Sequence, residues 1–185
     1  MGAGLGGGSS NAAVTLKVLN KLWKLNLSDN ELFNIGLHIG SDVPFFINGN
    51  NQYITGKGDI LTPLPKLKLL KYYILIVYPN IHIDTSLAYK SLKKGLEVPK
   101  RHNKFLDYNC QVNWHLLEND FEHVVFSTYP EISEIKDKLI SRKVLYAGLS
   151  GSGSTVYGIF NNKGDASSAS LLFSSYKTYL TSSIA

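Results

Sequence analysis

The chain opens with "GAGLGGGSSNAA", residues 2–13. Of residues 2–10, five are glycine and two are serine. That composition suits either a flexible linker or a cradle for phosphate, and the neighbouring residues weigh between the two. A Gly/Ser linker joins two domains and has no strongly patterned helix directly behind it. Here "NAAVTLKVLNKLWKLN", residues 11–26, comes at once. Ala12, Leu16, Leu19 and Trp23 recur at helical spacing, with Lys17, Asn20, Lys21 and Lys24 elsewhere around the cylinder. A glycine loop feeding a helix N-terminus makes an anion site: backbone N–H groups converge, the helix dipole is positive there, and no side chain obstructs the phosphate. Gly2, Ala3, Gly4, Leu5, Gly6, Gly7, Gly8, Ser9 and Ser10 therefore read as a phosphate-binding loop, with a structural tight turn as the alternative. Ser9, Ser10 or Asn11 is expected to cap the helix. Two common phosphate motifs fail. A P-loop needs Gly-Lys-Ser/Thr, and the first lysine is Lys17. A dinucleotide fingerprint needs a strand in front, and only Met1 stands there.

Working outward, 185 residues suffice for one good core or two small domains. With 44% hydrophobic and 18% charged residues the chain is globular material and not a disordered tail. A net charge of +5 suits an anionic ligand such as a nucleotide. The lysines are scattered and form no dense run, which argues against nucleic acid. Cys110 is the single cysteine, so no internal disulfide can form, in keeping with a reducing compartment. The start lacks a signal-peptide pattern. The longest apolar run, "YYILIVY" at 72–78, is too short to span a bilayer and reads as a buried strand. These features predict a soluble protein with no membrane partner, a cytoplasmic or plastid-stroma setting, and a monomer or weak homodimer.

Along the chain, helices are expected over 12–25 and 29–38. Ser28 and Glu31 have the spacing of a capping box for the second helix. "GSDVPFFI" leads into strand-like material at 52–55, and "GKGDIL" reads as a turn. "TPLPKLKLLK", 62–71, carries two prolines in four residues and reads as a connector. It separates an expected domain over 1–64 from one over 65–185. Helical patterns follow near 85–93, 108–119 and 130–142. Strands are expected around "VLYAGLS" and "STVYGIF", and a serine-bearing amphipathic helix over 166–182. Trp23 and Trp114 are expected in the core.

The glycine stretch resembles the second motif of the GHMP small-molecule kinases, Gly-Leu-Gly-x-x-Ser-Ser followed by Ala. Other pieces resemble the same family in order and spacing: "IGSDVPFFINGNNQYITGKGDILTPL", "NDFE" at 119–122, and "GLSGSGSTVYGIF" at 148–160, the last similar to the third family motif. The resemblance implies an α+β, two-domain architecture: an incomplete ribosomal S5 domain 2-like N-terminal part and a ferredoxin-like C-terminal domain. It implies an ATP-dependent kinase, with magnesium held mainly through the nucleotide. The wording is most similar to the branch that phosphorylates the 2-hydroxyl of cytidine-diphosphate methylerythritol in non-mevalonate isoprenoid precursor synthesis. A homoserine- or mevalonate-type member, or an inactive fragment that at most binds nucleotide, are the alternatives.

Phosphoryl transfer to an alcohol needs a held triphosphate, a placed hydroxyl and stabilised charge. Read alone, an Asp before Val-Pro is a turn or cap residue. The resemblance makes Asp42 the catalytic aspartate that accepts or orients the hydroxyl proton. In the family a lysine near the N-terminus partners this aspartate, and no position here matches it. The resemblance thus implies a chain lacking the family's N-terminal segment. "SGSGS", 150–154, reads alone as a hairpin turn. The resemblance brings Gly151, Ser152 and Gly153 to the substrate or phosphate side. It also makes Thr85 a substrate contact and Tyr89 the ring that stacks on cytosine. The five histidines show no metal-ligand spacing, so no protein metal site is expected. Asn119 reads as a cap or turn residue.

Overall fold

The structure, a computed structural model, describes residues 3–64, 72–92 and 112–183. Gly2, the 65–71 part of the connector, the end of the helix expected at 85–93, the first part of the one expected at 108–119, and Cys110 lie outside the described residues. The chain separates into two compact units, one of Gly6–Leu67 and one of Lys68–Ala185 together with Gly2–Leu5.

The first unit holds helices α1 (Gly7–Leu22), α2 (Asp29–Ile39) and α3 (Val43–Asn48), then a hairpin of β1 (Gln52–Thr55) and β2 (Ile60–Pro63). Ile60–Pro63, expected as the end of a turn and the start of a connector, pairs antiparallel with β1, from Gln52 opposite Pro63 to Thr55 opposite Ile60. Ser28 caps α2 as its sequence predicts: the Glu31 amide donates to its hydroxyl at 3.3 Å, and the Ser28 amide donates to the Glu31 carboxylate at 2.8 Å. Ala13, Leu32, Val43 and Ile47 form the core, with Ala12, Leu16, Leu27 and Phe46 against it. The α1–α2 link is pinned by Asn20, whose side chain both donates to and accepts from the Leu27 backbone at 3.0 Å.

Two expectations for α1 are corrected. The helix starts earlier than its apolar pattern suggests, so Ser9, Ser10 and Asn11 lie inside it and Gly6 occupies the cap position. Trp23 is not core: it follows the last helical residue and is 62% exposed. The reason lies in a second apolar row, Val14, Val18 and Leu22, that also fits helical spacing and is exposed. The small side chain of Ala13 faces the buried side instead.

The second unit is a four-stranded antiparallel sheet in the order β4 (Tyr146–Leu149), β5 (Val156–Phe160), β3 (Tyr73–Tyr78), β6 (Lys177–Ser182). Helices α4 (Thr85–Ser91), α5 (Phe121–Thr128) and α6 (Pro130–Ile140) lie between β3 and β4 in sequence, and α7 (Lys163–Ser170) lies between β5 and β6. Helical segments between the first two and last two strands, with the first strand central, make the ferredoxin-like arrangement. Alternation in "YILIVY" puts Leu75 and Val77 on one face, and Val156 and Phe160 of β5 join them. Val125 of α5, Ile132, Ile135 and Leu139 of α6, and Ala166 and Ala169 of α7 bury that face.

The segment expected as a helix over 166–182 divides: α7 ends at Ser170, a 3₁₀ turn covers Leu171–Phe173, and 177–182 is a strand paired with β3 along its length. Thr178, Tyr179 and Thr181 are β-branched or aromatic and suit a pleated edge better than a helix. Within 112–119 the expected helix is only a 3₁₀ turn, Trp114–Leu116, and Trp114 is half-buried, edge-on to Tyr72 and stacked near Tyr146. Among the described residues no helix is long and apolar enough to cross a membrane.

Candidate active site

In the first unit the glycine stretch turns into α1 at Gly6, whose φ of 65° is left-handed and favours glycine. A Cβ there would fall 2.9 Å from the Phe46 ring, so α3 packs directly on the helix start. The first turn has no side-chain cap and no acidic residue. Its first closing hydrogen bond runs from the Ser10 amide to the Gly6 carbonyl, 2.9 Å. The amides of Gly7, Gly8 and Ser9 come before that bond and have no partner within the helix. Gly7 and Gly8 are exposed, and a Cβ on either would meet nothing within 4 Å. Ser9 and Ser10 are half-buried in the same turn. The arrangement offers convergent N–H donors, open space and a positive helix end.

Asp42 occupies the N-cap position of α3 but makes no capping hydrogen bond. Its carboxylate is exposed and accepts only a long bond from the Ser41 hydroxyl, 3.4 Å. The backbone beneath it is fixed, because Val43 and Pro44 are buried. Gly58, with φ of 93°, lies against Ser41, where a Cβ would come 2.9 Å from the Ser41 carbonyl. The turn carrying Lys57 is thus seated beside the residue preceding Asp42.

In the second unit the turn Ser150–Thr155 joins β4 to β5. Gly151 and Gly153 have φ of 55° and 92°. A Cβ on Gly153 would sit 2.8 Å from Ile83 Cδ1, so the Ile83 side chain would have to shift to admit one, in addition to the left-handed conformation. The Ser152 hydroxyl is 3.3 Å from the Thr85 hydroxyl at the start of α4. One turn further along α4, Tyr89 is 57% exposed, its ring held edge-to-face on Phe121 with centroids 4.8 Å apart. Thr85, Tyr89 and Gly151–Gly153 are therefore brought together. Ala3 and Gly4 belong here too: the Ser150 hydroxyl donates to the Gly4 carbonyl at 2.8 Å, and the Thr155 amide donates to the Ala3 carbonyl at 3.3 Å. The glycine stretch is thus shared, its first residues packed in this unit and Gly6 onward in the other.

Asn119 makes the local turn its sequence suggests, accepting from the Phe121 amide at 3.0 Å, but the sequence reading did not foresee that it and Glu122 lie under the Ser150–Thr155 turn. Asn119 precedes α5, and its amide donates to the carbonyls of Leu149 at 2.9 Å and Gly151 at 2.8 Å. Glu122 accepts from the Leu149 amide at 3.0 Å and from Lys136 at 2.6 Å. An Asn three residues before a Glu, ahead of a helix, signals a cap, and nothing in that spacing reveals contacts with residues about thirty positions away. Buried near Glu122, the Tyr146 hydroxyl has its pKa raised by desolvation first, then by Tyr157 and Glu122. Desolvation also raises that of Tyr157. A cavity of about 890 Å³ is lined by Leu92, Glu118, Asn119, His123 and Lys136 among others. None of Thr85, Tyr89 or Gly151–Gly153 is among its lining residues. Among the described residues no cluster of three or more His, Cys, Asp or Glu side chains could hold a metal ion.

Comparison with known proteins covers both units. The family model for the GHMP kinases N terminal domain matches residues 1–50, and that for the GHMP kinases C terminal matches residues 104–171, together more than half of the chain. A 4-diphosphocytidyl-2-C-methyl-D-erythritol kinase of Thermodesulfovibrio yellowstonii is 45% identical over 95% of this chain and 64% of its own length. One of Porphyromonas gingivalis is 43% identical over 88% of this chain and 59% of its own. The chain thus spans a little under two thirds of the length of these relatives. A crystal structure of 4-(cytidine 5'-diphospho)-2C-methyl-D-erythritol kinase superposes with a TM-score of 0.78 at 26% identity, over 98% of this chain and 66% of that one. A homoserine kinase of Cytophaga hutchinsonii shares the fold, with a TM-score of 0.64 at 15% identity. From its glycine-led first helix to its ferredoxin-like second unit, the chain belongs to the GHMP kinase family.

Proposed function

We propose that the chain carries the nucleotide- and substrate-binding parts of an ATP-dependent kinase that phosphorylates the 2-hydroxyl of 4-diphosphocytidyl-2-C-methyl-D-erythritol. The observation that carries this reading is the start of α1, where the amides of Gly7, Gly8 and Ser9 precede the first helical bond, Gly7 and Gly8 have open space at their Cβ positions, and the turn has no capping side chain and no acidic residue. Relatives above 40% identity that bear this kinase's name support the choice of substrate.

The donor chemistry fits a triphosphate. When bound, ATP supplies the phosphoryl group, and magnesium, held mainly by phosphate oxygens, neutralises charge. The chain supplies the rest. The amides of the first turn of α1 hold phosphate oxygens, with the Ser9 and Ser10 hydroxyls as further partners. The Asp42 carboxylate accepts or orients the proton of the attacking hydroxyl. The Tyr89 ring, steadied by Phe121, stacks on cytosine. Thr85 and Ser152 offer hydroxyls, and the Gly151 and Ser152 amides offer donors, to the polar part of the substrate.

Calorimetric titration tests these assignments separately. The chain is expected to bind MgATP and cytidine 5'-diphosphate. Gly7→Val should lose ATP and keep cytidine nucleotide, with an unchanged circular dichroism spectrum, because a side chain at residue 7 enters open space where phosphate is held. Tyr89→Ala should do the reverse. Unchanged ATP affinity in Gly7→Val would remove the loop from the site.

A further inference from the structure

Asn119 is hydrogen-bonded in two opposite senses. Its Oδ1 accepts from the Phe121 amide at 3.0 Å, an Asx turn one residue ahead of Asp120, the N-cap position of α5. Its Nδ2 donates to two carbonyls, Leu149 at 2.9 Å and Gly151 at 2.8 Å, which flank the entry to the Ser150–Thr155 turn. With two acceptors on one side and an N–H on the other, the orientation of the amide is unambiguous. Glu122, three residues on, accepts from the Leu149 amide at 3.0 Å and is itself held by Lys136 at 2.6 Å. Between them, Phe121 supports the Tyr89 ring. One turn of chain therefore touches the glycine turn through residues 119 and 122 and the aromatic of α4 through residue 121.

We infer that Asn119 and Glu122 are positioning residues that clamp the Leu149–Gly151 backbone and so set the shape of the Gly151–Gly153 turn. The need for a clamp is local. Two left-handed glycines give the turn little conformational preference of its own. The bonds inside the Ser150–Thr155 turn are the Gly153 amide to the Ser150 carbonyl and the Ser150 amide to the Thr155 carbonyl, both 2.9 Å. The amide of Asn119 supplies directional contacts from outside on both sides of Ser150. That the shaped turn serves substrate rests on the proposed function; that it is clamped does not.

The discriminating variant is Asn119→Asp. Aspartate makes an Asx turn as well as asparagine, so a residue that only turns the chain loses nothing. It cannot donate, and it sets a carboxylate against two carbonyl oxygens. Hydrogen exchange read by mass spectrometry on the 185-residue chain is expected to show amides in 149–155 exchanging about tenfold faster in Asn119→Asp, while β3 and α7 keep wild-type protection. Asn119→Ser, a smaller turn-forming residue without the amide, should loosen the same segment. Wild-type exchange over 149–155 in Asn119→Asp would overturn the inference. Faster exchange that spreads equally through β3 and α7 would also overturn it, since that is general destabilisation. Titration of the same variants with cytidine 5'-diphosphate tests the functional half: weaker binding in Asn119→Asp is expected, and unchanged binding despite the looser turn would separate the turn from the substrate site. A wild-type chain that binds no cytidine nucleotide would count against the proposed function, with the exchange result still deciding the clamp.

Discussion

Asp42 and Gly153 illustrate two constraints, one proposed from chemistry and one read from backbone conformation. The Asp42 carboxylate is exposed on a rigid support and makes no capping bond. Under the proposed reaction, Asp42→Asn should lower turnover by about 10²–10⁴, the range for a positioned acid–base group, with little change in substrate affinity. Near-normal turnover in steady-state kinetics would return Asp42 to a structural role. Gly153 is different. With φ of 92° and Ile83 and Leu149 crowding the position where a Cβ would stand, Gly153→Ala should cost about 1–2 kcal/mol for the left-handed conformation alone, measured by chemical denaturation. An unchanged midpoint would mean that the turn relaxes freely. At this scale the sequence was informative about residue types and silent about partners. "NDFE" is visible as a motif, yet the two carbonyls that Asn119 reaches lie thirty and thirty-two residues away, and no local pattern encodes that distance.

Among the elements, α2 was the most legible, because its start is written in four residues. The Ser28–Glu31 box is formed in both directions, and Ser28→Ala should cost about 1 kcal/mol in thermal or urea unfolding. The backbone amide of Ser28, then its hydroxyl, hold the Glu31 carboxyl below the usual carboxylate range. A lowered pKa means that this contribution is present at neutral pH and is lost as pH falls through the depressed value. The difference between wild type and Ser28→Ala should therefore shrink in acid. A gap that stays constant would show that the carboxylate takes no part. Elements without such punctuation were harder to read. The first helix carries two apolar rows at helical spacing, and only packing against α3 decides that Ala13 faces inward while Trp23 does not. The tail beyond Ser170 has helix-like amphipathicity, but 177–182 completes an open edge of the sheet, and a strand in register with β3 satisfies more backbone than an isolated helix would. α5 escaped notice because it is only eight residues long and its start looks like a turn.

For the whole molecule, composition indicated only globular material, and the resemblance of the two glycine loops and the segments between them to the GHMP kinases implied the α+β kinase fold. How far each loop is built into its unit was not legible, because that depends on pairings such as Ser150 with Gly4 across the length of the chain. Stability of the folded chain should be sensitive to alkali. Burial raises the hydroxyl pKa of Tyr146 and of Tyr157 above the ordinary 10.0. Above pH 10 the unfolded chain releases protons that the folded one retains, so stability is full below that value and falls as pH rises further. Tyr146→Phe should flatten the decline seen in urea midpoints between pH 9 and 11. A decline of the same steepness in the variant would contradict the assignment. The central claim concerns phosphoryl transfer, and the measurement that tests it most directly is a coupled ADP-release assay with magnesium. It would be run on the chain alone and on the chain supplemented with the remaining third of the Thermodesulfovibrio yellowstonii relative. The acceptors would be 4-diphosphocytidyl-2-C-methyl-D-erythritol, homoserine and mevalonate. The account predicts turnover with the cytidine-bearing acceptor in the supplemented protein, abolished by Gly7→Val. Turnover that favours homoserine or mevalonate, or none with any acceptor, would contradict it.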